Sequence, residues 1–296
     1  PFSYLKIADG CDHRCAYCAI PLIRGSFRSR DIEDIVKEAS SMVSAGVKEI
    51  NLISQDSLMY GVDRAKKAQI VDLLKRLDAI DGDFWLRILY GYPAGVTDEL
   101  IELFNTAKHL CRYLDLPIQH SHPEILKSMN RSPAIKATTG LTQRLRQAIP
   151  GVTLRTTCLV GFPGETDAHF EHLLQTLESS EFDHLGVFGY SPEEGTAAFE
   201  RDAPDRDVVE ERCQRVMALQ KKIAAKRMAA LKGKHDTALL LRKKVKGDWI
   251  ARLARQAPEV DGETFISNVS TTAKAGDFIS VEITGAHDFD LRATRH

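Results

Sequence analysis

Six short apolar runs rich in β-branched and aromatic residues recur along the first two thirds of the chain: FSYLKIAD (2–9), EINLISQ (49–55), WLRILYG (85–91), YLDLPIQ (113–119), LRTTCLVGF (154–162) and HLGVFGYS (184–191). Between them lie segments such as DIEDIVKEASSMVSAG, AQIVDLLKRLDAI, TDELIELFNTA and TDAHFEHLLQTLESS. In these, apolar positions return every three or four residues and acidic residues crowd the first turn, which predicts amphipathic helices. Alternating strand and helix implies a parallel sheet with right-handed crossovers, and strands covered on both faces read as nearly continuous apolar runs. Six βα units fall short of the eight that close a TIM barrel, so the prediction is a partial, TIM-like (β/α)6 barrel over about residues 1–200. Its site belongs at the C-terminal ends of the strands, where the turns DGCDHRC, SQDS, GYP, QHSHP, GFPGET and YSPEEGT are polar or rich in Gly and Pro.

After Pro204 the pattern changes to a long charged helix reaching roughly to Leu231, with Val208, Val209, Val216, Leu219, Ile223 and Leu231 placed to share one face. From about residue 234, the pieces TALLLRKKV, WIARLAR, TFISNV and FISVEITG are punctuated by GD, DG and AGD. These predict a small antiparallel, OB-like β-barrel of about five strands. The expected division is therefore residues 1–231, barrel plus long helix, and residues 232–296, the small β-barrel.

Composition narrows the function classes. Lys and Arg number 40 against 41 Asp and Glu, so the chain as a whole has no attraction for a polyanion. RKKVK at 242–246 is offset in its own module by Glu259, Asp261, Glu263, Asp277 and Glu282, and reads as a solvated strand face. No apolar run approaches the roughly 20 residues of a membrane span and no secretion signal begins the chain, so a soluble cytoplasmic protein without a membrane partner is expected. The chain starts at Pro1, within an apparent strand, which suggests a piece of a longer protein.

Three of the six cysteines, Cys11, Cys15 and Cys18, form a Cys-x3-Cys-x2-Cys loop directly after the first strand. Spacing this tight is poor for a disulfide framework and points to metal or redox chemistry. Three thiolates from one loop can hold three corners of a cubane iron-sulfur cluster and leave the fourth iron open to a substrate. S-adenosylmethionine, chelating that iron through its amino and carboxylate groups, would then be cleaved reductively. The competing reading is a structural zinc site with His13 as fourth ligand, in an RNA-binding protein whose small barrel does the work. Zinc modules usually draw ligands from two separated pairs, which a single eight-residue stretch lacks. Cys111, Cys158 and Cys213 are scattered and read as ordinary packed residues. Tyr17 precedes the last cysteine, where its ring could flank an adenine or equally serve the core. The glycines of GFPGET could admit a ligand to the backbone or serve packing alone.

With these residues in view, the loop at the end of the first strand resembles that of the radical S-adenosylmethionine enzymes. GCDHRCAYCAIPLIRGSFRSR, SQDS, LPIQHSHPEILKSMNR, LVGFPGET and YSPEEGT together resemble the methylthiotransferases, and QAPEVDGETFI at 256–266 is similar to part of their closing TRAM domain. ADGCD, GSFRSR, SQDSLMYG, LYGYP and PEVDG look like the branch that modifies an aspartate of ribosomal small-subunit protein twelve, rather than the branch acting on a tRNA adenosine.

That resemblance implies one S-adenosylmethionine as methyl donor and a second, at the cluster, as source of a radical that abstracts hydrogen from the aspartate β-carbon. It implies Cys11, Cys15 and Cys18 as ligands of a 4Fe-4S cluster, Tyr17 beside the cofactor, Ser54 and Gln55 at its methionine part, and Gln119, Arg155 and Gly161 along the remainder. Partners implied are protein twelve within the ribosomal subunit and an electron donor such as a flavodoxin or ferredoxin. The family's further N-terminal domain, with three cysteines for a second cluster, has no counterpart here. One cluster, and cofactor cleavage without complete methylthiolation, are the expectations for these residues.

Overall fold

A computed structural model of the chain describes residues 1–244 and 247–296. The apolar runs form β1 (Phe2–Lys6), the short β2 (Ala8–Asp9) and β3 (Arg28–Ser29), β4 (Glu49–Ile53), β5 (Trp85–Ile88), β6 (Tyr113–Asp115), β7 (Thr153–Val160) and β8 (His184–Gly189). β2 and β3 make a small antiparallel pair, and the cysteine loop lies between them in sequence. The other six strands are parallel, ordered β1-β4-β5 and β6-β7-β8, and the two halves meet at a parallel bridge between Leu86 and Leu110. β1 and β8 do not pair among the described residues, so the barrel is open, as six βα units require.

Helices cover the outside of this sheet: α1 (Ile20–Arg24), α2 (Ile32–Ser44), α3 (Val62–Ala65), α4 (Ile70–Asp78), α5 (Asp98–Thr106), α6 (Pro123–Ser128), α7 (Ser132–Thr138), α8 (Leu141–Ala148) and α9 (Asp167–Ser180). Three of the main helices start where a side chain can accept an otherwise orphaned amide: Asp31 caps α2, Thr97 caps α5, and Thr166 with His169 forms a reciprocal box at α9. Leu5, Ile50, Leu52, Leu86 and Ile88 of the strands share one buried core with Ile35 and Ala39 of α2, Leu74 and Leu77 of α4, and Leu100 and Phe104 of α5. The short α6, α7 and α8, of eight residues or fewer, had no sequence counterpart, because a helix this short repeats its apolar positions too few times to register.

The long helix, α10 (Arg206–Ala229), ends before Leu231 and buries Arg212, Val216, Gln220, Ile223, Ala224 and Met228. Its inner face is thus less apolar than the predicted stripe of Val208, Val209, Val216, Leu219, Ile223 and Leu231. Arg212 faces inward because it pairs with Glu165 and Asp167, each at 2.8 Å, and Gln220 because it donates to the Phe182 carbonyl at 3.1 Å.

The small barrel contains β9 (His235–Lys243), β10 (Trp249–Leu253), β11 (Thr264–Ser267), β12 (Phe278–His287) and β13 (Asp290–Arg295), closed in the order β10-β11-β13-β12-β9. Four of its ladders are antiparallel, while β11 and β13 pair in parallel because β12 intervenes between them in sequence. Its own core includes Leu240, Trp249, Leu253, Ile266, Val281 and Leu291. Of the RKKVK stretch, Arg242, Lys243 and Lys244 are exposed, and Val245 and Lys246 lie outside the described residues. No helix among the described residues is long and apolar enough to cross a membrane.

The two parts are joined through charge as well as chain. Arg252 of β10 and Arg87 of β5 both engage Glu49 at the start of β4, Arg87 through Nε at 2.9 Å, and all three side chains are buried. Arg87 also donates to the Ala254 carbonyl at 2.8 Å, and Tyr4 of β1 donates to Glu259 at 2.7 Å. Residues 252–261 therefore lie against the end of the barrel opposite the cysteine loop and form its floor.

Candidate functional site

The cysteine loop is shaped by hydrogen bonds of its backbone to two distant segments. Cys11 N donates to Gly25 O at 3.1 Å, Ala16 N to Met129 O at 3.0 Å, and Asn130 Nδ2 to Arg14 O at 2.9 Å. Gly10 has φ +81°, and a Cβ there would stand 2.2 Å from Ser26 O, so only glycine lets the loop leave β2 this way. Within the loop, Cys18 N donates to Cys15 O at 3.0 Å, a tight turn that keeps these two cysteines together.

All three cysteines line one cavity of about 460 Å³ at the C-terminal ends of the strands, a volume suited to a small ligand. Tyr17, Ser54, Gln55 and Gln119 line it too, so four of the six residues expected at the cofactor come together with the cysteines. Tyr17 sets its ring edge-on to Phe162 with centroids 6.4 Å apart. The buried Gln55 Oε1 has no hydrogen-bond partner, an acceptor left free at the cavity wall. Gln119 adopts φ +67° while its amide and carbonyl bond to Thr157 O and Leu159 N, so β7 holds a strained residue at the site.

Arg131, Asp56 and Tyr92, none of them singled out from the sequence, also line the cavity, as does His13, the candidate zinc ligand. Arg131 Nη1 donates to Cys15 Sγ at 3.5 Å, its Nη2 to Pro117 O at 2.9 Å, and its guanidinium lies 4.3 Å above the Tyr92 ring. His13 stacks on the same Tyr92 ring at 4.1 Å and donates through Nε2 to Asp56 at 2.6 Å. Asp56 is itself fixed by the amides of Leu58 and Tyr92, both at 3.1 Å. Burial pushes the Cys11 thiol up to about 11 and the Cys18 thiol upward, so holding these sulfurs as thiolates calls for positive charge in addition to Arg131. Three thiols, one cation and a free acceptor around one cavity suit a cationic metal group with an organic ligand beside it.

The sequence profile of the "Radical SAM superfamily" matches residues 5–177, which take in the cysteine loop and the barrel as far as most of α9. The chain belongs to the radical SAM superfamily. A second profile, "TRAM domain", matches residues 235–295. The chain is 45% identical over 295 residues to the ribosomal protein uS12 methylthiotransferase RimO of Natranaerobius thermophilus, covering 98% of this chain and 66% of that protein. Identity to the enzyme of the same name from Thermosynechococcus vestitus is also 45% over 295 residues, covering 98% of this chain and 65% of the relative. The chain thus spans just under two thirds of these curated relatives. Among solved structures, coproporphyrinogen III oxidase HemN of Escherichia coli, described as a radical SAM enzyme, aligns with TM-score 0.57 and 16% identity over 86% of this chain and 65% of its own. The radical SAM methyltransferase TsrM of Kitasatospora setae aligns with TM-score 0.52 and 18% identity, covering 64% and 36% respectively. At such identities these two structures speak for the fold alone.

Two of the expected residues stand away from the radical SAM cavity. Arg155 lies deeper in β7 and contacts Asp115 at 3.2 Å and Asp261 of the floor at 3.5 Å. Gly161 has φ +74°, and a Cβ there would meet Val209 of α10 at 2.4 Å, so its missing side chain makes room for the helix.

His120 and His122, within the QHSHP turn, belong to the support of the radical SAM barrel's upper loops. His122 Nδ1 accepts from Glu124 N at 3.3 Å and caps α6, and His169 Nδ1 accepts from Thr166 N at 3.2 Å. His120 is fully buried and its Nδ1 accepts from His122 N at 3.0 Å. Its Nε2 is 3.7 Å from Glu165, but that carboxylate is already held by Arg212 at 2.8 Å, so the contact is not a charged pair. Burial, with His122, His169, His172 and Arg212 nearby, lowers the His120 pKa to about 3. An unfolded histidine takes up its proton near pH 6.5, so between there and about 3 the unfolded chain binds the extra proton. The contribution of neutral His120 is whole above about pH 6.5 and falls on acidification, by up to about 1.4 kcal/mol per pH unit. His120→Gln should accordingly flatten the decline of the urea midpoint between about pH 6 and 4. An unchanged slope would show that His120 does not drive it.

Proposed function

We propose that this chain is the catalytic and C-terminal portion of a methylthiotransferase that acts on ribosomal protein uS12, in the cytoplasm. The observation carrying the proposal is the meeting of Cys11, Cys15 and Cys18 with Tyr17, Ser54, Gln55 and Gln119 at one cavity, in a chain 45% identical over nearly its whole length to enzymes of that name. Residues 1–231 carry the chemistry and residues 232–296 form the TRAM-like module that closes the barrel floor.

Cys11, Cys15 and Cys18 would hold a 4Fe-4S cluster with one iron open. When bound, such a cluster would supply the electron that cleaves S-adenosylmethionine reductively, giving a radical able to abstract hydrogen from the aspartate β-carbon. The chain's own residues prepare this step. Arg131 places positive charge against Cys15 Sγ at 3.5 Å. Gln55 offers its free carbonyl oxygen to the ammonium of the cofactor's methionine part, with Ser54 beside it, and Tyr17 flanks the adenine. His13 and Tyr92, stacked and anchored by Asp56, keep the wall between β4 and β5 in place. An external donor of the flavodoxin or ferredoxin type would supply electrons, and a second cluster outside these residues would serve as sulfur donor or attachment site.

Gln55→Ala tests the assignment at the cofactor. Loss of one charge-assisted hydrogen bond, about 1.5–3 kcal/mol, should weaken S-adenosylmethionine binding by about tenfold to a hundredfold in the anaerobically reconstituted chain, as measured by equilibrium dialysis. Unaltered binding and deoxyadenosine release would remove Gln55 from the site.

A further inference from the structure

The cavity and the floor of the barrel are connected by a continuous set of polar contacts. Asp261, in the loop after β10, is buried among barrel residues: it accepts from the Tyr113 hydroxyl at 2.7 Å and from its own loop's Ala257 amide at 2.8 Å. Its other oxygen lies 3.5 Å from Arg155 Nε and 3.4 Å from His184 Nδ1. Arg155 then donates through Nη1 to Asp115 at 3.2 Å. The remaining Asp115 oxygen accepts the Tyr90 amide at 3.1 Å, and the Asp115 carbonyl accepts the Gly91 amide at 2.9 Å. Tyr90 and Gly91 are part of the cavity wall.

Tyr90 is the residue that needs this support. Its φ is +59°, a region that bulky side chains avoid, and it keeps that conformation only if its surroundings impose it. Asp115 grips the backbone on both sides of the strained unit. Asp115 is in turn a buried carboxylate whose one cationic partner among its contacts is Arg155. Arg155 Nε makes no hydrogen bond, so this guanidinium is held between two carboxylates by charge more than by directional contacts. Neutralising Asp261 would remove the second anchor of Arg155, so its guanidinium could shift, the single 3.2 Å hydrogen bond to Asp115 would lose its alignment, and the grip on Tyr90 would loosen.

We infer that Asp261 of the C-terminal module is a positioning residue for the cavity, acting through Arg155 and Asp115 to fix the backbone at Tyr90 and Gly91. The consequence for the cofactor rests on the function proposed above, whereas the mechanical link does not. Asp261→Asn keeps the shape of the side chain and removes its charge. In the full chain without metal or cofactor, this variant should raise amide hydrogen exchange at Tyr90 and Gly91 by about tenfold, with Leu52 in β4 and Leu173 in α9 within about twofold of the parent. In the anaerobically reconstituted chain, KM for S-adenosylmethionine should rise by about tenfold while kcat for deoxyadenosine release changes less. Should Asp261→Asn fail to fold, Tyr113→Phe removes one of the hydrogen bonds that orient Asp261 and should produce a smaller rise at the same two amides.

Unchanged exchange at Tyr90 and Gly91 would overturn the inference, and so would a rise spread evenly over the chain, which a purely structural role predicts. Because exchange is read without cofactor, it decides the link even if the parent chain releases no deoxyadenosine, a result that would sink the proposed function alone.

Discussion

Cys15→Ala is expected to abolish reductant-dependent release of deoxyadenosine and to reduce iron retention after anaerobic reconstitution from about four per chain to a minor fraction. A three-thiolate site has no ligand to spare, because the fourth iron must stay open for the cofactor. No other cysteine can take its place. Cys111 and Cys158 are buried in the barrel, where burial pushes the Cys111 thiol up to about 12 and the Cys158 thiol higher still. Cys213 lies on α10, outside the cavity lining. Arg131, deprived of the sulfur it touches at 3.5 Å, would also be left as a cation with only the Pro117 carbonyl and the Tyr92 ring. Cys111→Ala serves as the control and should retain both iron and release. Iron and sulfide persisting in Cys15→Ala, or zinc in their place in the parent, would remove the radical cluster from the account.

Glu49→Ala should be the most damaging single change to stability away from the cavity, costing about 3–5 kcal/mol in urea unfolding. Burial by itself would raise the pKa of this carboxyl, but Arg87 and Arg252 more than offset it and hold the group below its usual range. With the carboxylate gone, two guanidiniums remain buried at the joint between barrel and floor, with no counter-charge at Glu49's place. The Ala254 carbonyl is a dipole, which solvates Arg87 without neutralising it. A contrast lies on the surface, where Arg76 grips Glu33 through two 2.8 Å hydrogen bonds in full solvent. Glu33→Ala should shift the midpoint far less, since water and salt already screen that pair. Equal shifts for the two variants would mean that burial does not amplify the Glu49 cluster.

What could be read from the sequence was what is encoded locally. Strand and helix periods give the six parallel units, and the spacing of Cys11, Cys15 and Cys18 gives the thiol loop, because both signals repeat within a few residues. Ser54, Gln55 and Gln119 were within reach for the same reason: each directly follows a strand-like run, where an α/β barrel builds its site. Arg155 departs from that rule. It lies two residues before Thr157 on the same face of β7, and that step along the strand carries it from the cavity down towards the floor.

Other features depended on chain segments meeting across long distances. Arg131 reaches Cys15 from the start of α7, 116 residues on, and although it closes the LPIQHSHPEILKSMNR stretch, nothing in that stretch tells that its guanidinium meets a cysteine. Asp56 stood within SQDS, but its task of holding His13 and the Tyr92 amide appears only once three turns are packed together. QAPEVDG could be recognised by resemblance, yet nothing in its order of residues announces that it enters the bottom of another module. The inward Arg212 and Gln220 of α10 defeat an apolar-face reading because their polarity is answered by Glu165 and by the Phe182 carbonyl.

The buried joint also bears on how such proteins diverge and can be recombined. Arg252, the Ala254 carbonyl and Asp261 come from one module, and Glu49, Arg87, Tyr113 and Arg155 from the other, so the two halves of the joint must be inherited together. A chimaera that grafts a foreign C-terminal cassette at the end of α10 would keep the covalent connection and lose this lock. Grafting the cassette together with its matching residues on β4 to β7 would carry both sides of the lock across.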